Sequence, residues 1–231
     1  MDEWLNDLND AGFVVIPGPI PSEQLRYVAD EYDRALASAS GDDIHVGSTT
    51  TRVNDFVNRG VTFDPLYIYE PLLDACNKVI AEPFKLSTMH ARTVRAHVNA
   101  QTLHVDFPRD DLGWPMIGFI FMVDEFHRDN GATSFIPGSH RWSTAPDELS
   151  RGVTEYKSQV VACGSAGSVI IYNGSVWHGH TQNKTDKPRR SIQGAFIRRR
   201  EKSGASLPER MHPETLARIQ PVARYLLGLQ E

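Results

Sequence analysis

The sequence is poor in cysteine: its 231 residues include only Cys76 and Cys163, which lie far apart in the chain. Two isolated thiols argue against a disulfide-stabilised secreted domain and fit no cysteine-based zinc site. The first twelve residues are acidic and lack the basic and apolar regions of a signal peptide. We therefore expect free thiols and a cytoplasmic protein.

Long apolar runs and an excess of positive charge are also missing. No stretch approaches the length of a membrane span, and the net charge of −5 gives no attraction for nucleic acid or an anionic membrane. These absences exclude nucleic acid and membrane as expected partners, while the oligomeric state stays unknown. The one basic cluster, Arg198 to Arg200, is predicted to be the solvated end of a strand.

Hydrophobic periodicity predicts helices mainly in the first third of the chain. One helix is expected before Gly12, one after Pro21 and one from Pro71, and FVVI (residues 13–16) is expected to be a strand. The polar segment at residues 38–55 has no period and is predicted to be a long loop. Such loops often carry function.

From about residue 84 the pattern changes to short apolar or alternating runs separated by turn residues. PMIGFIFMV (residues 115–123) is apolar without alternation, which predicts burial on both faces. The chain is therefore predicted to be mainly β with flanking helices, either a jelly roll or a small barrel. We expect one domain (1–231) with a helical N-terminal part (1–83), a β core (84–200) and a helical tail (201–231) interrupted at Pro221.

The stretch LHVDF (residues 103–107) alternates like a half-buried strand, so His104 and Asp106 leave the same face. A third ligand would complete a set of two histidines and a carboxylate, which suits non-haem Fe(II) because three positions stay open. SVWHGH (residues 175–180) offers His178 and His180, and strand parity cannot choose between them. Taken alone, an H-x-D pair is more often solvated or hydrogen bonded than bound to metal.

Arg189 and Arg190 follow these histidines shortly along the chain. A guanidinium group holds a planar carboxylate through two parallel hydrogen bonds. A metal triad together with such an arginine is the set of groups needed to bind a 2-oxo acid, with one end on the metal and the far carboxylate on the arginine.

Several segments together resemble the phytanoyl-CoA dioxygenase family of Fe(II)/2-oxoglutarate-dependent oxygenases. They are AGFVVIPGPIPSEQL, QTLHVDF, NGATSFIPGSHRW and VWHGHTQNKTDKPRRS. The resemblance covers most of the chain and thins at residues 40–90 and after 200. It implies a double-stranded β-helix (a jelly roll, cupin-like fold) and dioxygenase activity with Fe(II), 2-oxoglutarate and O2.

The resemblance also implies roles for individual residues. His104, Asp106 and His178 match the iron ligands, because the family's distal histidine precedes a glycine and is followed eleven residues later by an arginine, here Arg189. The remaining matches to 2-oxoglutarate contacts are Gln101, Thr133 and Arg52. Thr133 has a plainer reading as an ordinary strand residue, and Arg52 as a loop residue paired with Asp55 or Asp64. His140 is expected to close a turn.

Halogenating relatives replace the metal carboxylate by a small residue, so Asp106 favours hydroxylation, or another oxygenase outcome, on a small-molecule metabolite in a natural-product context, with release of succinate and CO2. The residues expected near the substrate are Asn54, Phe107, Trp114, Trp177 and His180. Two alternatives stay open: a cupin-like metal-binding protein without a 2-oxo acid, and a family member that binds ligand without catalysis.

Overall fold

The computed structural model describes residues 3–143 and 153–229. The strands in these ranges are β1 (Phe13–Pro17), β2 (Ile44–Val46), β3 (Thr50–Val53), β4 (Phe84–Val94), β5 (Met116–Met122), β6 (Thr133–Phe135), β7 (Val160–Val161), β8 (Ser168–Asn173), β9 (His178–His180) and β10 (Arg189–Arg198). The helices are α1 (Glu3–Ala11), α2 (Leu25–Ser38), α3 (Asp64–Tyr67), α4 (Glu70–Val79), α5 (Leu207–Arg210), α6 (Pro213–Arg218) and α7 (Pro221–Leu226). None of these helices is long and apolar enough to cross a lipid bilayer.

Two antiparallel sheets form the β core. The larger has the order β1-β8-β5-β10-β4-β3-β2 and the smaller the order β7-β6-β9. Ile120, Ile170 and Tyr172 of the larger sheet share a buried apolar cluster with Phe135 of the smaller one. The sheets therefore pack face to face, which confirms the predicted jelly roll.

Helices cover the outer face of the larger sheet. Val28 of α2 and Leu72 of α4 belong to one buried cluster with Phe119 and Phe121 of β5. The intervening Ile120 points to the smaller sheet, because successive side chains alternate across a strand. Strand β5 is thus buried on both faces, as its unbroken apolar sequence predicted.

The polar segment at residues 38–55 is not a loop, and this prediction was wrong. It contains the hairpin of β2 and β3, and β3 pairs with β4 at the edge of the larger sheet. The two strands have only three and four residues, too few for a period to show in the sequence. Besides the predicted strand β1, the N-terminal part therefore also supplies β2 and β3.

LHVDF does not form the predicted strand. It makes a single bridge, in which His104 and His178 exchange backbone hydrogen bonds of 3.0 Å in both directions. The amides of Asp106 and Phe107 then both donate to the carbonyl of Gly174, so the ladder cannot continue. This bridge is what places His104 beside His178.

Two other expectations change at the end of the chain. The tail is helical and breaks at Pro221 as predicted, but it also breaks before Pro213. Arg198, expected in solvent, is fully buried and ion-paired with Asp110 and Glu82. The two carboxylates compensate its charge, which allows an arginine to lie inside the protein.

Candidate metal centre and active-site pocket

Three side chains converge on the inner face of the jelly roll. One ligand atom from each of His104, Asp106 and His178 lies within 4.8 Å of the other two. The Nε2 atoms of His104 and His178 are 3.7 and 3.6 Å from the two oxygens of Asp106. These separations are too long for hydrogen bonds, so the three groups do not satisfy one another.

Backbone carbonyls determine which nitrogen each histidine presents. Nδ1 of His104 lies 3.1 Å from the carbonyl of Thr102, and Nδ1 of His178 lies 2.9 Å from that of Val176. A carbonyl oxygen only accepts, so each Nδ1 carries the proton and each Nε2 turns its lone pair toward Asp106. Burial and the neighbouring His178 lower the pKa of His104 to about 4, which keeps its lone pair free near neutral pH.

Tyr172 of β8 holds the carboxylate in place. Its buried hydroxyl donates to Oδ2 of Asp106 at 2.6 Å. Burial alone raises the pKa of Asp106, but His178, the Tyr172 hydrogen bond and Arg92 outweigh it, so the pKa lies below its ordinary value. The sequence analysis did not identify Tyr172, because no motif marks it.

The donor set fits a ferrous ion. Two imidazole nitrogens and one carboxylate form the facial arrangement that suits non-haem Fe(II). The hydrogen bonds from both Nδ1 atoms and from Tyr172 orient the ligands, as is usual around protein metal sites.

The structure also distinguishes His178 from His180. Nδ1 of His180 donates to the carbonyl of Thr181 at 2.8 Å, and its Nε2 accepts from the hydroxyl of Thr49 at 2.9 Å. With both nitrogens used, His180 is excluded from the donor set among the described residues. It still lines the cavity beside the three ligands.

A cavity of about 350 Å³ opens in front of the three ligands. It contains most of the residues that the sequence singled out, namely Arg52, Gln101, Phe107, Thr133, His180 and Arg189. Arg189 is 1 % exposed; its guanidinium donates to the hydroxyl of Ser191 at 3.0 Å and to the carbonyl of Gly131 at 2.6 Å. Its Nε is buried without a partner, as expected of a group that awaits a ligand.

Arg189 and Arg190 differ in their partners. Arg190 forms ion pairs with Asp124 and Asp33, whereas Arg189 is ion-paired with no carboxylate in residues 3–143 and 153–229. Burial, and next Arg92, lower the pKa of Arg189 to about 9. Of these two arginines, Arg189 is therefore the one whose guanidinium can bind the carboxylate of a ligand.

Arg52 is not tied to either of the carboxylates suggested as its partners. Asp55 pairs with Arg210 and Asp64 with Arg218, while Arg52 sits on β3 with a buried, unpartnered Nε. The reading of Arg52 as a loop residue paired with an acid was therefore wrong. Thr133 is buried on β6 and faces the cavity, so it is a strand residue as well as a wall residue.

Three residues expected near the substrate do not line the cavity. Trp177 is 1 % exposed and packs against Trp142 and Tyr156, because the backbone of β9 turns it away from His178 and His180. Trp114 donates to the carbonyl of His140 at 3.1 Å.

Asn54 is the third of these residues, and it donates to the carbonyl of Asp42 at 3.4 Å. All three side chains therefore stabilise loops. His140 itself is buried beside α1 with its Nε2 at 3.1 Å from the carbonyl of Asn9, which agrees with a structural role.

Comparison with known proteins agrees with this geometry. The profile of the family described as "Phytanoyl-CoA dioxygenase (PhyH)" matches residues 8–191. The dioxygenase FrzG from Cladobotryum sp is 31% identical over 85% of this chain and 68% of its own length. The dioxygenase olcK from Penicillium canescens is 27% identical over 83% and 68%.

Solved structures share the fold. HygX from Streptomyces hygroscopicus, with nickel and 2-oxoglutarate bound, superposes with a TM-score of 0.72 at 16% identity, covering 88% of this chain and 89% of its own. The non-haem α-ketoglutarate-dependent epimerase SnoN from nogalamycin biosynthesis gives 0.69 at 18% identity, covering 84% and 82%. With the family profile, these findings establish that the chain belongs to the phytanoyl-CoA dioxygenase family of iron- and 2-oxoglutarate-dependent dioxygenases.

Proposed function

We propose that this protein hydroxylates a C–H bond of a small metabolite and converts 2-oxoglutarate and O2 into succinate and CO2. The observation that supports this most is the meeting, in one cavity, of an unsatisfied His-Asp-His set and a buried arginine without a carboxylate partner. The metal set suits one end of a 2-oxo acid and the arginine suits the other.

His104, Asp106 and His178 hold the iron in this proposal, through the two Nε2 atoms and the carboxylate. When bound, ferrous iron supplies the O2 chemistry that the side chains of the protein cannot perform. The protein contributes orientation: the carbonyls of Thr102 and Val176 set both imidazole tautomers. Because the carboxylate is present, we infer hydroxylation and not halogenation.

Arg189 and Thr133 bind the far carboxylate of 2-oxoglutarate in this proposal, with Gln101 and Arg52 as further contacts. All four line the cavity, and the Nε atoms of both arginines are buried without a partner. A charge-assisted hydrogen bond in a buried site is stronger than one in water, so Arg189 contributes most of the affinity.

The substrate fills the remainder of the cavity, whose size suits a small molecule. Phe107 and His180 are the residues from our substrate set that line it. Structures of HygX with hygromycin B and of SnoN with nogalamycin RO show that proteins of this fold bind small molecules. We further infer that residues 1–231 form one catalytic domain. Because Cys76 and Cys163 are free thiols, we also infer a reducing compartment such as the cytoplasm.

The test is anaerobic addition of Fe(II) and then 2-oxoglutarate, followed by visible absorption, and aerobic scoring of a metabolite panel by succinate formation. We expect a weak visible band and substrate-dependent succinate. Asp106→Ala is expected to abolish both, and Arg189→Ala to raise the 2-oxoglutarate requirement by at least about tenfold, the loss of a hydrogen bond to a charged group. Asp129→Ala, which removes an exposed carboxylate, is the control. Full activity in Asp106→Ala would overturn the proposal.

A further inference from the structure

A row of cationic side chains lies along one wall of the cavity. Arg52 of β3 and Arg92 of β4 are paired in register, so their side chains are neighbours on the same face of the sheet. His90 lies two residues before Arg92 on that face and also lines the cavity, whereas Lys202 lines it near Lys85 and Leu86, at the other end of β4. This wall carries more positive charge than one co-substrate carboxylate needs.

These cations have no acidic partners in the described parts of the chain. Asp106 is the only acid that lines the cavity, and no ion pair there includes Arg52, Arg92 or Lys202. Arg92 donates instead to the side-chain oxygen of Gln101 at 3.2 Å. Four arginines elsewhere in the chain are neutralised by carboxylates, namely Arg190, Arg198, Arg210 and Arg218.

The positive charge remains after the proposed cofactors are counted. The charges of ferrous iron and Arg189 are balanced by Asp106 and the two carboxylates of 2-oxoglutarate. Arg52 and Arg92 add two positive charges to this balance, so an excess of about two positive charges remains with iron and 2-oxoglutarate bound. Burial, and next Arg52, lower the pKa of Arg92, and a bound anion would favour its charged form.

His90 adds a neutral hydrogen-bonding group to the same wall. Its Nε2 is buried without a partner, and burial, with Arg52 and Arg92, lowers its pKa to about 3. Apolar side chains also line the cavity, namely Phe107, Met116, Ile120 and Ile197. Ile197 pairs with Met116 and with Lys85, so these two apolar residues lie away from Arg92 along the sheet. The cavity therefore has both cationic and apolar parts.

We propose that the oxidised substrate is an amphipathic anion whose carboxylate or phosphate binds Arg92, with His90 beside it and the charge of Arg52 nearby. Its apolar body lies against Ile120 and Phe107, in front of His104, Asp106 and His178. This inference rests on the proposed dioxygenase function and specifies its substrate class.

The experiment uses the enzyme loaded anaerobically with Fe(II) and saturating 2-oxoglutarate. Phenyl phosphate, benzoate and the neutral benzyl alcohol are titrated separately by calorimetry, while the visible band reports the co-substrate. We expect both anions to bind and benzyl alcohol to bind at least about tenfold more weakly. The stronger of the two anions identifies phosphate or carboxylate as the natural group.

The variants separate substrate binding from co-substrate binding. Arg92→Gln is expected to lower the affinity for the preferred anion by at least about tenfold and to shift the 2-oxoglutarate midpoint of the band far less, and Arg92→Lys is expected to restore part of the anion affinity. Arg200→Gln, which removes a charge that is half exposed and outside the cavity, should bind like the wild type.

Three results would overturn the inference. The first is equal affinity for benzoate and benzyl alcohol, and the second is displacement of 2-oxoglutarate by the anions. The third is an equal loss of affinity for 2-oxoglutarate and for the anion in Arg92→Gln. Absence of the band in the wild type, with anion binding retained, would overturn the proposed dioxygenase function and support the anion site. The two failures are therefore distinguishable.

Discussion

Tyr172 controls the direction of the metal carboxylate through one hydrogen bond of 2.6 Å to Asp106. Its ring occupies space that a glycine leaves open. Gly118 pairs in register with Tyr172, and a Cβ at residue 118 would lie 2.2 Å from the ring's Cζ. A side chain there would push the ring, and with it the carboxylate, out of position.

Removal of the Tyr172 hydroxyl should weaken iron binding. In Tyr172→Phe the Asp106 carboxylate keeps its charge but loses the group that orients it, and we expect the iron dissociation constant to rise about tenfold. Anaerobic titration with Fe(II) measures it. Tyr69→Phe makes the same chemical change where the hydroxyl donates to the carbonyl of Pro17. Lower unfolding temperature with unchanged iron affinity would assign the hydroxyl a purely structural role.

The sequence indicates the roles of some site residues but not of others. His104, Asp106, His178 and Arg189 were identified because they stand in an ordered motif at recognisable spacing. Tyr172 was not, because its role depends on which strands become neighbours and in which register. The same holds for Arg92, which faces Arg52 only once β3 and β4 pair.

The hairpin of β2 and β3 is the element that positions Arg52. Its turn is held from two sides: Arg95 donates to the carbonyls of Gly47 and Thr50, and the hydroxyl of Thr49 donates to Nε2 of His180 at 2.9 Å. Both contacts connect the edge of the larger sheet to the cavity wall. The hairpin therefore depends on side-chain hydrogen bonds as well as on strand pairing.

Thr49→Val should loosen this hairpin. The change keeps the shape of the side chain but leaves Nε2 of His180 without a donor, at a cost of about 1–3 kcal/mol. We expect faster amide hydrogen exchange in residues 50–53 and a weaker apparent affinity for 2-oxoglutarate. Thr51→Val is the control, since the Thr51 hydroxyl has no hydrogen bond within the described residues. Unchanged exchange in Thr49→Val would show that strand pairing alone holds the hairpin.

Elements were predictable where burial dominates. Strand β5 was predicted from the unbroken apolar run at residues 115–123, and its seven residues lie buried between two layers. The β2–β3 hairpin was missed because it is short and polar, and is stabilised by pairing with β4. LHVDF alternates like a strand, yet Asp106 and Phe107 share one carbonyl of Gly174 and the ladder stops. Competition for a hydrogen-bond acceptor leaves no trace in an alternation pattern.

At the scale of the whole molecule, buried histidines make folding sensitive to acid. His140 joins the turn at residues 139–141 to α1, donating to the carbonyl of Asn9. Burial, against the opposing hydrogen bond to Asn9, lowers its pKa to about 4, and burial lowers that of His90 to about 3. Both therefore stay neutral in the folded protein at pH values where unfolded histidine, with its ordinary value of 6.5, takes up a proton.

The sign of the pH dependence follows from these values. Between pH 6.5 and about 4 the unfolded chain binds more protons than the folded one, so the free energy of unfolding falls as the pH falls. We expect the unfolding temperature to drop steadily through this window. His140→Gln keeps a donor near Asn9 and removes one such proton, which should make the dependence shallower. His212→Gln, at an exposed position, is the control. Because all proteins are compared in the same buffers, loss of metal affects them alike, and an unchanged slope in His140→Gln would contradict the prediction.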